Sequence, residues 1–165
     1  EYLLSRCDFC RVQRIEYTSE DFISQVKLTT GASVLIGVHG SGLANCLWMK
    51  PSTEKEPTAL IELFPNGYSC RDWFHSAANI ARIDYYSVTG KKEREKIKVI
   101  GKSNQTNDDD KELLNLCRSR RELCSTMMCH DRLRDQNVTI EVGALSSVWL
   151  TIVSKFNHAQ KLYDK

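Results

Sequence analysis

The stretch from Ser33 to Asn45 limits what this chain can fold into more than any other. Ser33-Val34-Leu35-Ile36-Gly37-Val38 is short, β-branched and apolar without alternation. That is the pattern of a strand buried on both faces. It runs into His39-Gly40-Ser41-Gly42 and then into a predicted helix over Leu43 to Met49, ended by Pro51. Strand, glycine turn and helix in that order make one unit of a parallel sheet. The unit recurs. Ala59 to Phe64 is a second apolar strand, stopped by Pro65 and the Asn66-Gly67 turn. Asp72 to Ala81 reads as a helix with Phe74, Ala77, Ala78 and Ala81 on one face, and Ile83 to Val88 is a third strand.

Outside this core the pattern is less regular. The first 16 residues carry no readable periodicity. Thr18 to Asp21 has capping-box spacing, which predicts a helix with Thr18 as N-cap, Phe22, Ile23 and Val26 on its inner face, and Gly31 as its stop. Thr89 to Asp109 is polar and reads as a long surface loop, with a candidate short strand at Ile97 to Ile100. Lys111 to Met128 reads as one helix with Leu113, Leu116, Leu123 and Met127 as its apolar stripe, and Val138 to Val142 as a last strand. Leu145, Val148, Trp149, Ile152, Val153 and Phe156 recur at three- and four-residue steps, predicting a long amphipathic helix from Ala144 to Leu162. The expected fold class is α/β: a Rossmann-like parallel sheet with helices on both faces, one domain over residues 1–165, closed by a C-terminal helix at 144–163. In such sheets the ligand site lies at the carboxyl ends of the strands.

Charge and cysteine content narrow the function classes. The 23 basic and 21 acidic side chains leave a net charge of +2, too balanced for a nucleic-acid or anionic-membrane surface. No apolar run reaches the length of a membrane-spanning helix. Cys7-Asp8-Phe9-Cys10 has C-x-x-C spacing, but no second such pair exists to complete a zinc site, so no metal is expected. The expectation is instead a disulfide or two among Cys117, Cys124 and Cys129, with buried thiols elsewhere. Asn104-Gln105-Thr106 and Asn137-Val138-Thr139 are N-glycosylation sequons. With the cysteines, they tilt the compartment toward the secretory lumen.

The chemistry concentrates at the end of the first strand. Gly37, Gly40 and Gly42 allow a sharp turn and close approach of backbone to a ligand. The following helix aims its free N–H groups and positive dipole end at the same point, a ready site for a diphosphate. His39 and Ser41 add donors. The spacing is neither G-x-G-x-x-G nor a P-loop, and Ser41 lacks the G-x-S-x-G setting of a hydrolase nucleophile. Glu62, near the carboxyl end of the second strand, needs a partner if buried; a ribose hydroxyl or a neighbouring loop would serve. Asp108-Asp109-Asp110 contains D-x-D but opens a helix, where acidic residues complement the dipole. His75 and His130 have no partner pattern, and Lys91 to Lys98 reads as a solvated basic loop.

Val34 to Asn45, Leu47-Trp48-Met49-Lys50-Pro51 and Leu60-Ile61-Glu62-Leu63-Phe64-Pro65 together resemble the C-terminal signature of glycosyltransferase family 61. That signature reads G-x-H-G-[AS]-G-L-[TA]-N after a strand, then an apolar stretch closed by proline, then V-x-E-[LI]-x-P. The family includes xylan-decorating plant transferases, the EGF-domain O-GlcNAc transferase and an O-mannose N-acetylglucosaminyltransferase. The resemblance implies the C-terminal, donor-binding half of an inverting GT-B enzyme. Such an enzyme transfers GlcNAc or a pentose from a UDP-sugar to a hydroxyl of a protein or polysaccharide acceptor. It implies that His39, Gly40, Ser41, Gly42 and Asn45 form the diphosphate loop and that Glu62 sits near the nucleoside. Residues 1–16 would be a remnant of the region between the halves. The catalytic base would come from the N-terminal half, with His39 as a lesser candidate, so this piece alone is expected to be inactive. A Golgi or endoplasmic-reticulum lumen, with a membrane anchor in a segment absent here, is also implied. The alternative is a noncatalytic binding module derived from such an enzyme. Ser52 to Pro57 is a longer insertion than the family's turn and should lie at the opposite, amino edge of the sheet.

Overall fold

The computed structural model describes residues 7, 9–68, 71–91 and 108–164. Three parallel strands form its sheet in the order β1 (Val34–Val38), β2 (Ala59–Phe64), β3 (Asp84–Thr89). The register sets Gly37 beside Glu62 and Glu62 beside Ser87. The α/β class and the three core strands agree with the sequence reading. β2 is the central strand, and its run Ala-Leu-Ile-Glu-Leu-Phe is buried on both faces because both faces are covered.

Alternation sorts the core into two layers. Leu35 and Leu60 point to one face, where they meet Leu43, Cys46 and Met49 from the segment after β1 and Phe74 and Ala78 from α2 (Trp73–Ala81). Ala59, Ile61 and Val88 point to the other, under Trp149, Ile152 and Val153 of α5 (Val142–Tyr163). Both crossover segments thus lie on one face and the C-terminal helix on the other. Among the described residues no helix is long and apolar enough to cross a membrane.

A third cluster lies at the carboxyl edge. Phe64 and Tyr68, at and just beyond the end of β2, pack on Leu114, Cys117, Cys124, Cys129 and Leu133. Here the expected single helix over Lys111 to Met128 is corrected. It breaks into α3 (Asp108–Ser119), a 3-10 turn (Arg121–Leu123) and α4 (Met127–Arg134). Arg120 is extended, and a Cys117–Cys129 disulfide ties α4 to α3. The inner positions are therefore Leu114, Cys117, Cys129 and Leu133, while Met127 is 90% exposed. A bridge spanning 12 residues contributes about 3 kcal/mol by restricting the unfolded chain.

Other expectations shift in detail. The cap of α1 (Phe22–Thr30) is Asp21, which accepts from the Ser24 amide at 3.0 Å; Thr18 lies in a preceding 3-10 turn. Phe22 and Ile23 face solvent, and Thr29 is the residue buried from this helix. Cys7 and Cys10 are disulfide-bonded rather than buried thiols. Cys124 is disulfide-bonded too, and Cys46 is a buried free thiol. Val138 to Val142 is not a strand. The Gly90 amide donates to Phe64 and its carbonyl accepts from Asn66. Among the described residues the Lys91 amide bonds the Thr139 carbonyl at 2.8 Å. The candidate strand at 97–100 and the sequon at Asn104 lie outside the described residues. Asn137 is exposed in the segment after α4. Ser52 to Pro57 does lie at the amino edge, where the Ser52 amide bonds the Arg82 carbonyl at 2.7 Å.

Candidate functional site

Each site begins with how the chain leaves a strand. β1 ends at Val38, and the His39 amide donates to the Leu63 carbonyl at 2.9 Å. That bond carries the pairing one residue past the strand and holds His39 against β2. Gly40 is extended and opens the helical segment Ser41–Trp48. This segment is a 3-10 helix along its eight residues, where an ordinary helix over Leu43 to Met49 was expected. Close packing explains part of the tightness. A Cβ at Gly37 would stand 2.8 Å from Leu43 Cδ2, and one at Gly42 would stand 3.1 Å from the Tyr17 ring. These two glycines let the segment lie directly on the strand and under the chain before α1. Gly40 differs: a Cβ there meets only the Val38 carbonyl, at 3.7 Å. Among the described residues the amides of Gly40, Ser41 and Gly42 bond no other backbone group. They form the open N-terminal end of the segment, an arrangement of the kind that can accept an anion.

Asn45 is buried and turned inward. Its Nδ2 donates to the Gly42 carbonyl at 3.1 Å and to Gln25 Oε1 at 3.2 Å. Gln25 in turn donates to the carbonyls of Tyr17 and Glu20, at 3.0 and 2.9 Å. Asn45 therefore fastens the turn to α1. Ser41 is exposed at the tip.

Glu62 alternates with Leu60, so it faces the same layer as the turn, and it is fully buried. Its Oε1 hydrogen-bonds His39 Nδ1, and its Oε2 accepts from the Tyr85 hydroxyl at 2.6 Å. Both oxygens thus have protein partners. Burial, then the bond to Glu62, pushes the Tyr85 phenol far above its ordinary value. Burial beside Glu62 also pushes the Cys46 thiol up to about 11, leaving an unreactive thiol.

The His39 ring is enclosed by aromatic neighbours. It stacks on Phe64 at 5.4 Å and lies 4.8 Å from Tyr68 and 5.2 Å from Phe74, ring centre to ring centre. Its side chain is 4% exposed, and among the described residues its Nε2 makes no hydrogen bond. Tyr68 continues outward through its hydroxyl to His130 Nε2 at 3.0 Å, and His130 Nδ1 meets Asp131 at 3.0 Å. His130 is thereby part of the wall under the site, while His75 is exposed on α2 against the Tyr85 ring. Lys91 pairs with Glu141; residues 92–98 and the side chains of Asp108, Asp109 and Asp110 lie outside the description.

The structure thus gathers His39, Gly40, Ser41, Gly42 and Glu62 at the carboxyl edge, with Asn45 bracing from behind. Sequence reasoning missed Tyr85, Tyr68, Phe74 and Gln25. Tyr85 was reachable: once β2 and β3 pair in parallel, Leu60 lies beside Tyr85, two residues from Glu62 on the same face. Among the described residues no three His, Cys, Asp or Glu side chains converge on a metal position. A separate groove of about 670 Å³ lies between α5 and Phe9 and Lys55, away from this edge.

Comparison with known proteins bears on the turn directly. The family model described as Glycosyltransferase 61 matches residues 1–55, a span that includes β1 and the His39 to Asn45 turn and ends before Glu62. No curated protein and no solved structure matches the chain.

Proposed function

We propose that this chain, whose residues 1–55 match the Glycosyltransferase 61 model, is the donor-binding half of an inverting transferase of that family taking a UDP-sugar. The observation that carries this reading is the open turn at Gly40, at the carboxyl edge of a parallel sheet, with three amides that bond no backbone group among the described residues. A diphosphate there would accept those amides and the Ser41 hydroxyl. The buried His39–Glu62–Tyr85 chain beneath it would keep the His39 ring fixed next to the phosphates. Glu62, with both oxygens engaged, would act on the donor through His39 and not by direct contact with the nucleoside.

In the reaction, an acceptor hydroxyl of a protein or polysaccharide attacks the anomeric carbon from the face opposite the diphosphate. The new C–O bond forms as the bond to the β-phosphate oxygen breaks, and that oxygen keeps the electron pair. The hydroxyl proton passes to a base on the acceptor side. In this reading His39, enclosed by Phe64, Tyr68 and Phe74, lies beside the leaving group and the base stands on the acceptor side. A GlcNAc or pentose is the transferred sugar. A secretory-pathway location in the Golgi or endoplasmic reticulum fits the disulfides at Cys7–Cys10 and Cys117–Cys129.

Isothermal titration of this chain with UDP tests the reading. Binding with a dissociation constant in the range of about 1 μM to 1 mM is expected, with uridine much weaker. No heat at millimolar UDP would count against donor binding.

A further inference from the structure

We propose that Arg71 is the cation that neutralises the donor diphosphate at this edge, an inference that rests on the donor-binding reading. A diphosphate brings at least two negative charges. The turn at residues 39–45 offers amides and a hydroxyl but no fixed cation, and the lysine of a P-loop has no counterpart there. A cation in a neighbouring loop would supply that charge.

Arg71 stands in that loop. It follows β2 and directly precedes Asp72, the N-cap of α2. It therefore leaves the sheet at the same carboxyl edge as the turn after β1. Its guanidinium lies 5.0 Å over the Trp73 ring. It also acts on the Tyr68 phenol: burial raises that phenol, and Arg71 is the largest opposing influence. Tyr68 in turn lies 4.8 Å from His39, ring to ring. Arg71 and His39 thus flank the same tyrosine.

Its hydrogen bonding is incomplete. The Nε atom is buried with no partner, and among the described residues Arg71 makes no ion pair. The other arginine acting on Tyr68, Arg134, is committed to Asp131 and Asp135 at 3.2 and 2.7 Å. Guanidinium presents a rigid fork of donors that matches two phosphate oxygens at once. A cation stacked on an aromatic ring, at the same carboxyl edge as the open turn, is matched to that ligand. The Trp73 stack restrains the guanidinium and lowers the entropy lost on binding.

The test is titration of the wild-type chain and Arg71→Gln with UDP and with uridine. Arg71→Gln should weaken UDP by about 10- to 100-fold, the range for loss of a charge-assisted contact. It should leave uridine unchanged and flatten the salt dependence of UDP binding. Equal UDP affinity in the variant would overturn the proposal while leaving donor binding intact. Absence of UDP binding by the wild type would overturn both. If Arg71→Gln does not fold, the Arg71 Nε resonance of the wild type decides. It should shift on adding UDP and not on adding uridine; an unmoved resonance at saturating UDP would mean that Arg71 serves only to cover Trp73.

Discussion

Gly40→Val abolishes UDP binding by this chain and shifts its thermal midpoint by no more than about 2–4 °C. The two halves of this expectation come from the same geometry. Gly40 has an extended backbone that valine adopts without strain, and its Cβ would meet only the Val38 carbonyl at 3.7 Å. The fold has room for the side chain. The room is where the amides of Gly40, Ser41 and Gly42 are open, so a valine there occupies the phosphate position. A loss of at least about 100-fold in affinity, close to 3 kcal/mol, is expected. Calorimetry gives the affinity and a melting curve the stability. Gly37→Val is the contrasting variant, because its side chain would run into Leu43 and disturb the packing itself.

Glu62→Ala should be the most destabilising single change at the site. It strips the partners from His39 Nδ1 and from the Tyr85 hydroxyl and opens a cavity beside Cys46. Breaking a fully buried pair of this kind costs about 3–5 kcal/mol. Glu62→Gln keeps the shape and one acceptor, and should cost about 1–3 kcal/mol. Urea denaturation measures both. A loss below about 1 kcal/mol for Glu62→Ala would mean that the carboxyl group is not the buried anchor described here. Glu62→Gln also separates roles: if Glu62 acts on the donor through His39, UDP affinity falls in a variant that is still folded.

The central sheet was legible because its signals are local. Branched apolar runs at Val34–Val38 and Ala59–Phe64 are each closed by glycine or proline, and no other element type suits them. The turn at His39 was legible for the same reason. What failed depended on contacts between distant residues. The expected bridge among Cys117, Cys124 and Cys129 is present as Cys117–Cys129, but nothing near Arg120 announces that it will fold α4 onto α3 and turn Met127 outward. Val138 to Ile140 has strand-like residues, yet it lies outside the described sheet of β1, β2 and β3. Thr18 has the spacing of a cap, yet Asp21 is the better acceptor and sits next to the helix. Asn45 shows the limit at the site itself. The motif does not reveal its protein partner, because the side chain reaches Gln25, twenty residues back in the chain. The partners of Glu62 likewise come from β1 and β3, so only the register reveals them.

Backbone amide resonances of the labelled chain, followed during addition of UDP, locate the ligand directly. The amides of Gly40, Ser41 and Gly42 should move most, with smaller shifts at His39 and at the start of α2. Shifts confined to Phe9, Lys55 and the α5 residues that line the separate groove, with the turn unmoved at saturation, would contradict a donor site at the carboxyl edge.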